Sequence, residues 1–256
     1  MDSNLSDLFL SRDDLVGTWI TLNDPSIAEL SAELGFDFVT VDLEHTHNTI
    51  ETVVHMSRAV NAASRETGLI VRVPTNDPIW IRRVLDVGVD GVLIPFVNTA
   101  QEAELAVSAT KYPPEGIRGV GPIRAARYST ARDEYLATAN DQMLTLVQIE
   151  TQEGLENIER ISAVDGVDGV FIGRTDLSAS LFGVAEEPTE SELRTAIDRV
   201  IEVARKEGKA VGTVVTDKED ISMWMDRGMT YLNVGIDYKH LADRNKSYKD
   251  EFDRVT

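Results

Sequence analysis

Four apolar runs in this 256-residue chain stop at residues able to do chemistry. One ends in Asp42-Leu43-Glu44-His45, one carries Arg72 within IVRVP, one ends in Gln148-Ile149-Glu150, and one in Gly173-Arg174-Thr175-Asp176. Glu150 and Asp176, from consecutive runs of this kind, could reach a single divalent ion and leave other positions for water and substrate. Either acid alone reads equally well as a residue at a helix start, Asp176 before LSAS above all. As a pair at matching positions they point to a metal. His45 stands beside Asp42 and Glu44, and a carboxylate partner suits an imidazole to acid–base work near neutral pH. Read by its position alone, His45 is also an ordinary surface-loop histidine, and His47 competes for the same role. A guanidinium inside an apolar run must be paired, so Arg72 is expected to bind a keto oxygen or carboxylate, an internal acid, or both. Backbone N–H groups around Gly173, Arg174 and Thr175, at a helix start, suit an anion such as a substrate carboxylate.

Absences narrow the chemistry. There are no cysteines, so disulfides, thiolate nucleophiles and Cys-bound metals are excluded. A metal would be held by Asp, Glu, His and water, which favours Mg or Mn and leaves Co and Zn open. Imine-forming catalysis needs a lysine at the end of a strand. Six of the seven lysines lie in helical or loop patterns; the other, Lys209, begins an apolar run. Stabilisation of an enolate by a metal remains.

These residues need elements that converge. Eight short, nearly continuous apolar runs occur, at 17–22, 36–44, 69–74, 91–97, 143–150, 166–173, 209–215 and 230–236, as expected of strands buried on both faces. Amphipathic segments alternate with them. Asn23-Asp24-Pro25, Asn76-Asp77-Pro78, Thr99, Thr189 and Asp217 supply helix starts, and Gly208 and Gly228 supply stops. Strict alternation predicts a parallel sheet, and eight strands close a (β/α)8 TIM barrel, one domain over residues 1–256. A doubly wound open sheet is the other arrangement, but no GxGxxG or GxxxxGK[ST] follows any run. Catalytic groups then belong at the C-terminal ends of the strands. Two stretches break the rhythm. Residues 111–141 hold the Gly-rich GIRGVG, expected to be a flexible loop with substrate capping as the functional alternative; residues 182–188 are a shorter insert. The last segment, Tyr238–Thr256, is a polar helix with Leu241, Tyr248 and Phe252, expected to cover its own barrel or a neighbour.

With 44 acidic against 25 basic residues, the formal charge is −19. Such a surface repels nucleic acid and anionic membranes. It is a solubilising surface, or an adaptation to a salt-rich cytoplasm. The acidic N-terminus lacks signal-peptide features and no run is long enough to span a membrane, so a cytoplasmic protein is expected.

The stretches GFDFVTVDLEHTHN, RVPTNDPIWIRRVLDVGVDGVLIPFV, KYPPEGIRGVG, ANDQMLTLVQIETQEGLENI and GVDGVFIGRTDLSASL together resemble the class II pyruvate aldolases, the hydroxy-oxo-heptanedioate and keto-deoxy-sugar-acid aldolases of the phosphoenolpyruvate/pyruvate barrel superfamily. The resemblance spans about residues 17–241. It implies a divalent metal (Mg, Mn or Co) on Glu150 and Asp176, chelating the keto and carboxylate oxygens of pyruvate. Arg72 would stabilise the enolate oxygen. His45, supported by Asp42 and Asp86, would act with a water as acid and base. Gln148 would lie near the metal, and amides around Gly173–Asp176 would hold the pyruvate carboxylate. The substrate implied is a 2-keto-4-hydroxy acid, or pyruvate with an aldehyde. The resemblance further implies a homo-hexamer, a trimer of dimers exchanging the last helix. Where the family has Gly-Pro-Ala-Asp, this chain has Gly173-Arg174-Thr175-Asp176, which frees an N–H and adds a charge beside the carboxylate site. Other readings are an oxaloacetate decarboxylase or malyl-CoA-type lyase on the same scaffold, a non-catalytic keto-acid-binding barrel, and a phosphate-handling isomerase.

Overall fold

The structure is a computed structural model, describing residues 5–11, 14–64, 66–184 and 190–256. In chain order the elements are α1 (Leu5–Ser11), β1 (Leu15–Ile20), α2 (Pro25–Glu33), β2 (Phe38–Asp42), α3 (Ile50–Ala63), β3 (Gly68–Arg72), α4 (Pro78–Leu85), β4 (Gly91–Ile94), α5 (Ala100–Thr110), α6 (Arg132–Gln142), β5 (Leu144–Ile149), α7 (Gln152–Glu156), α8 (Ile158–Ser162), β6 (Gly169–Ile172), α9 (Arg174–Phe182), α10 (Glu190–Lys206), β7 (Ala210–Val215), α11 (Ile221–Asp226), β8 (Tyr231–Ile236) and α12 (Asp237–Val255). A 3-10 turn, Lys218–Asp220, leads into α11. The strands pair in parallel in the order β1 to β8 and close into a barrel. Every expected run overlaps its strand, although β1 and β3 begin ahead of the expected bounds, at Leu15 and Gly68, and an open doubly wound sheet is ruled out.

Three of the start signals act as local chemistry requires, whereas Asp217 opens the 3-10 turn without a side-chain cap bond. Asp24 accepts a hydrogen bond from the Ser26 amide and precedes Pro25, and Asp77 accepts from Ile79 and Trp80 and precedes Pro78. Thr99 and Glu102 form a reciprocal capping box on α5. Gly208 and Gly228 take positive φ at helix ends. Thr189 and most of the insert at 182–188 lie outside the described residues.

Successive strand side chains point alternately out and in. The outward set, including Val39, Val41, Val71 and Val147, joins the helices in the larger core. The inward set divides by height. Leu15, Phe38, Ile70, Leu93, Leu144, Leu146, Phe171 and Tyr231 fill the lower and middle barrel. Helix α1 supplies Leu5 and Phe9 to this set, with the Phe9 ring 5.2 Å from Phe38 and 4.8 Å from Tyr231. Continuing upward in steps of two, Phe38 leads through Thr40 to Asp42, Ile70 to Arg72, and Leu144 through Leu146 to Gln148 and Glu150. The polar residues therefore emerge together where the apolar layers end.

The loop expected to be flexible is anchored instead. Arg118 of GIRGVG is 2% exposed, lies 4.3 Å over the Tyr112 ring, and donates to Asp86 at 3.1 Å and to the Tyr135 hydroxyl at 3.0 Å. Burying a guanidinium among such partners fixes its loop. No helix of the described residues is long and apolar enough to cross a membrane.

Candidate active site at the barrel mouth

A cavity of about 350 Å³ opens at the C-terminal ends of the strands, lined by Trp19, His45, Arg72, Gln148, Asp176 and Val214 among others. Its charged floor follows from strand register. Asp42 pairs with Arg72 across β2 and β3, which sets carboxylate and guanidinium side by side. The fork is bidentate: Arg72 donates from Nε to Asp42 at 2.9 Å and from an Nη at 2.6 Å. Its other Nη lies 3.0 Å from Glu44, and its plane sits 4.8 Å over Trp19. Burial alone would raise Asp42, but the hydrogen bonds and charge of Arg72, with the amides of Glu44 and His45, hold its carboxyl below the usual range.

Glu150 lies at the top of β5 and is 1% exposed. It accepts from the Phe96 amide at 2.7 Å and from the Gln148 side chain. Phe96 presents that amide from a positive φ of 53°, an uncommon conformation for a residue with a side chain. Burial pushes Glu150 up to about 7; its two hydrogen bonds oppose the rise, while Glu44 and Asp176 add to it. Glu44 is likewise pushed to about 7, by burial first and then by Asp42 and Asp176, with Arg72 opposing. Glu44, Glu150 and Asp176 thus repel one another across the mouth.

Neither metal candidate is spent on capping a helix. The N-cap of α7 is Thr151, whose hydroxyl accepts from Gly154, and Glu150, one residue earlier, is buried and bonded to Phe96 and Gln148 instead. The N-cap of α9 is Gly173, and Asp176 sits in the first turn without a side-chain cap bond. A Cβ on Gly173 would come within 2.8 Å of the Glu150 Cβ and of its carboxylate, so the start of α9 rests directly on Glu150. The first-turn amides of α9 have no partner within the helix.

Of the other expected residues, Gln148 lines the cavity, as do Gly173, Arg174 and Thr175. His45 lines it from an exposed turn, and its ring faces Glu44 at 3.8 Å. Asp42 meets His45 through the backbone amide, at 3.4 Å, rather than through the ring. Glu44 thus takes the place expected of Asp42 as partner to the imidazole. His47 is exposed and does not line the cavity.

Asp86 is not brought to His45 within this chain. It caps the C-terminus of α4, at the end of the barrel where the strands begin, and its carboxylate holds Arg118. Burial raises it, and Arg118 opposes that rise. Arg174 also differs from expectation. Its guanidinium does not lie over the first turn of α9; it reaches sideways to the Val214 carbonyl at 2.9 Å and lies 5.1 Å over Trp224.

The family model for the HpcH/HpaI aldolase/citrate lyase family matches residues 15–243. The chain belongs to this family. It is 43% identical to the 4-hydroxy-2-oxo-heptane-1,7-dioate aldolase of Shigella sonnei over 89% of this chain and 86% of the relative. An HpcH/HpaI aldolase/citrate lyase family protein from Burkholderia cenocepacia superposes with a TM-score of 0.92 at 33% identity, covering 98% of this chain and 99% of that one. The citrate synthase SbnG superposes at 0.83 with 29% identity, covering 98% and 99%. The HpcH/HpaI barrel therefore serves more than one reaction at a carbon–carbon bond, and the groups at the mouth must decide which reaction belongs to this chain.

Trp19 and Phe171 were missed as site residues. Glu44 was named beside His45, but its contact with Arg72 was not foreseen, although it follows Asp42 by two and so continues the inward face of β2. Trp19 and Phe171 read as core, and they are core that also walls the cavity, their rings 5.4 Å apart.

Proposed function

We propose that this chain is a divalent-metal-dependent aldolase that cleaves a 2-keto-4-hydroxy acid to pyruvate and an aldehyde, and forms the same bond in reverse. The observation that carries this reading is the mouth itself: three mutually repelling carboxylates stand beside an arginine locked in place. No lysine lines the cavity, and Lys209 lies at the opposite end, its amine near the Val164 carbonyl. This supports a metal-assisted enolate over an imine.

The residues present fit a hard cation. Among the described residues, no group of three or more acids and histidines is gathered as a metal cluster. Two carboxylates, with water and substrate completing the shell, suffice for an open catalytic site. Glu150 keeps free lone pairs beyond its two hydrogen bonds. The buried acceptor oxygen of Gln148 lacks a hydrogen-bond donor, as expected beside a hydrated ion. Glu150 and Asp176 would hold the ion, Mg, Mn or Co, and Gln148 would orient Glu150. When bound, the ion supplies Lewis-acid stabilisation of negative charge on the keto oxygen.

The remaining steps fall to the protein. First-turn amides of α9 at Arg174 and Thr175 bind the pyruvate carboxylate beside Gly173, whose own amide donates to the Ile149 carbonyl. His45, backed by Glu44, takes the proton of the C4 hydroxyl through a water as the C3–C4 bond breaks, and the same proton is returned to C3 of the enolate to give pyruvate. Arg72, immobilised by Asp42 and Glu44, faces the oxygen on which enolate charge develops. Asp86 could support His45 only from a neighbouring copy. A homo-oligomer, a hexamer built as a trimer of dimers, agrees with that need and with the unburied last helix, and a cytoplasmic setting with the composition.

A panel of aldehydes offered with pyruvate, with chelator and with Mg, Mn or Co restored, tests the reading. Aldol products that vanish with chelator and return with metal are expected. Activity indifferent to chelator, or oxaloacetate decarboxylation with no aldol product, would overturn it.

A further inference from the structure

A cavity of about 650 Å³ is lined by Arg58, Asn61, Arg124, Arg127 and Tyr128 among others, and shares no lining residue with the mouth cavity. Gly88, between the end of α4 and the start of β4, also lines it, so it lies towards the end of the barrel where the strands begin. Arg58 comes from α3, and Arg124 and Arg127 from the segment between α5 and α6. The chain holds 44 acidic and 25 basic residues, so a surface guanidinium readily meets an acid. No ion pair among the described residues includes any of these three arginines.

The cluster is held in place nonetheless. Arg124 is half-buried, and its Nη1 donates to the Ser57 hydroxyl at 3.1 Å and to the Val87 carbonyl. Two of its five N–H donors are thereby used, and three stay open. Burial first, and then Arg58, push the Arg124 guanidinium down; Tyr128 opposes, and no carboxylate does. Arg58 donates to the Tyr128 hydroxyl at 3.3 Å. Arg127, Tyr128 and Ser129 take positive φ of 50°, 56° and 69°, a run that costs about 1–2 kcal/mol per residue. Strain of this sort gathers at ligand clamps, and here it sets Arg127 and Tyr128 on the cavity wall. Three like charges assembled without an acid call for an anion among them. One arginine fork fills a carboxylate, whereas a phosphoryl group offers three acceptor oxygens and close to two negative charges, and takes donors from several sides.

We propose that this cavity binds a phosphoryl dianion, clamped by Arg58, Arg124 and Arg127 with the Tyr128 hydroxyl, and carried by a small phosphate ester or free in solution. The cavity volume and the exposed Tyr128 ring leave space for the body of an ester. The occupant ties α3 to the segment that also carries Arg118. The assignment is independent of the reaction at the mouth.

Calorimetric titration with inorganic phosphate, glycerol phosphate and succinate tests it, on wild type, on Arg58→Gln/Arg127→Gln and on Arg72→Ala. Arg58 and Arg127 are exposed, so their replacement spares the fold, which a melting curve checks. Glycerol phosphate is expected to bind wild type at least about tenfold more tightly than succinate, and the double variant to lose about 10- to 100-fold, as for lost charge-assisted hydrogen bonds. Arg72→Ala should lose nothing. Phosphate bound as tightly as its ester identifies the free ion as the ligand, and weaker phosphate identifies an ester; either upholds the site. Succinate bound equally well, or an unaltered affinity in the double variant, would overturn it. Loss in Arg72→Ala instead would place the anion at the mouth and overturn it too. No binding of any anion, with the assembly dissociating in the double variant, would show that an acid of a second copy fills the cluster, and would equally defeat the proposal.

Discussion

Arg72 illustrates how a buried charge becomes useful. Its fork is filled by Asp42 at 2.6 and 2.9 Å, and Glu44 stands at 3.0 Å. The arrangement fixes the guanidinium before any substrate arrives, so no reorganisation is needed when enolate charge appears. Arg72→Ala is expected to lower turnover about 100- to 1,000-fold, with metal affinity from a binding titration little changed. Equal loss of both would recast Arg72 as a metal-site support. Glu150 yields a second outcome. In the metal-free chain burial lifts its pKa to about 7, above the usual carboxylate value. Between those two values the folded chain holds a proton that the unfolded chain has released, so metal-free stability falls as pH rises through this window. A cation must displace that proton, so affinity should climb with pH towards about 7 and then level off. An affinity flat between about pH 5 and 8 would contradict the raised pKa.

At the scale of elements, much was legible because the barrel imposes a simple code. Strands buried on both faces read as continuous apolar runs, and all eight were visible. Their C-terminal bounds read too long at Glu44, Pro74, Val97 and Glu150, because polar mouth residues and the apolar starts of loops continue the run after strand pairing stops. Asp42, Arg72, Gln148 and Glu150 were legible as strand-end residues, although the roles expected of Asp42 and Gln148 came from the family resemblance. The single-chain role of Asp86 was not, since a helix C-terminus gives no sign of which barrel end it will face. Helix α6 was hidden in the long interruption by its polar composition, and α1 gave no sign that Leu5 and Phe9 would plug the barrel floor. The start of α9 provides the element-scale prediction. Gly173→Ala would place a methyl 2.8 Å from the Glu150 carboxylate. Metal binding should weaken at least tenfold, while the unfolding temperature shifts little. Unaltered metal binding would mean that α9 and Glu150 are not packed as described.

At the scale of the molecule, α12 buries none of its residues in its own chain and leaves Leu241, Tyr248 and Phe252 more than half exposed. Its first turn is nonetheless fixed, because Asp237 accepts from the amides of Thr21 and Leu22. An apolar groove of Leu22, Ile27, Leu30, Leu34, Phe36 and Leu241 runs beside it. Exposed apolar faces of this kind mark association, which supports the proposed exchange of this helix between subunits. Removing residues 246–256 should reduce the assembly in sedimentation analysis without unfolding the barrel; an unchanged assembly would argue against exchange. The charge of −19 gives a separate expectation. If the surface is adapted to salt, thermal stability rises steeply from low to molar KCl, and indifference to salt would leave it merely solubilising.

One titration decides the most. Mn²⁺ binding should be measured calorimetrically on wild type, Glu150→Gln and Asp176→Asn, each checked for folding. One ion per chain in wild type, with affinity falling by orders of magnitude in both variants, is the expected result. Wild-type affinity retained in either variant would mean that the two acids do not share a cation.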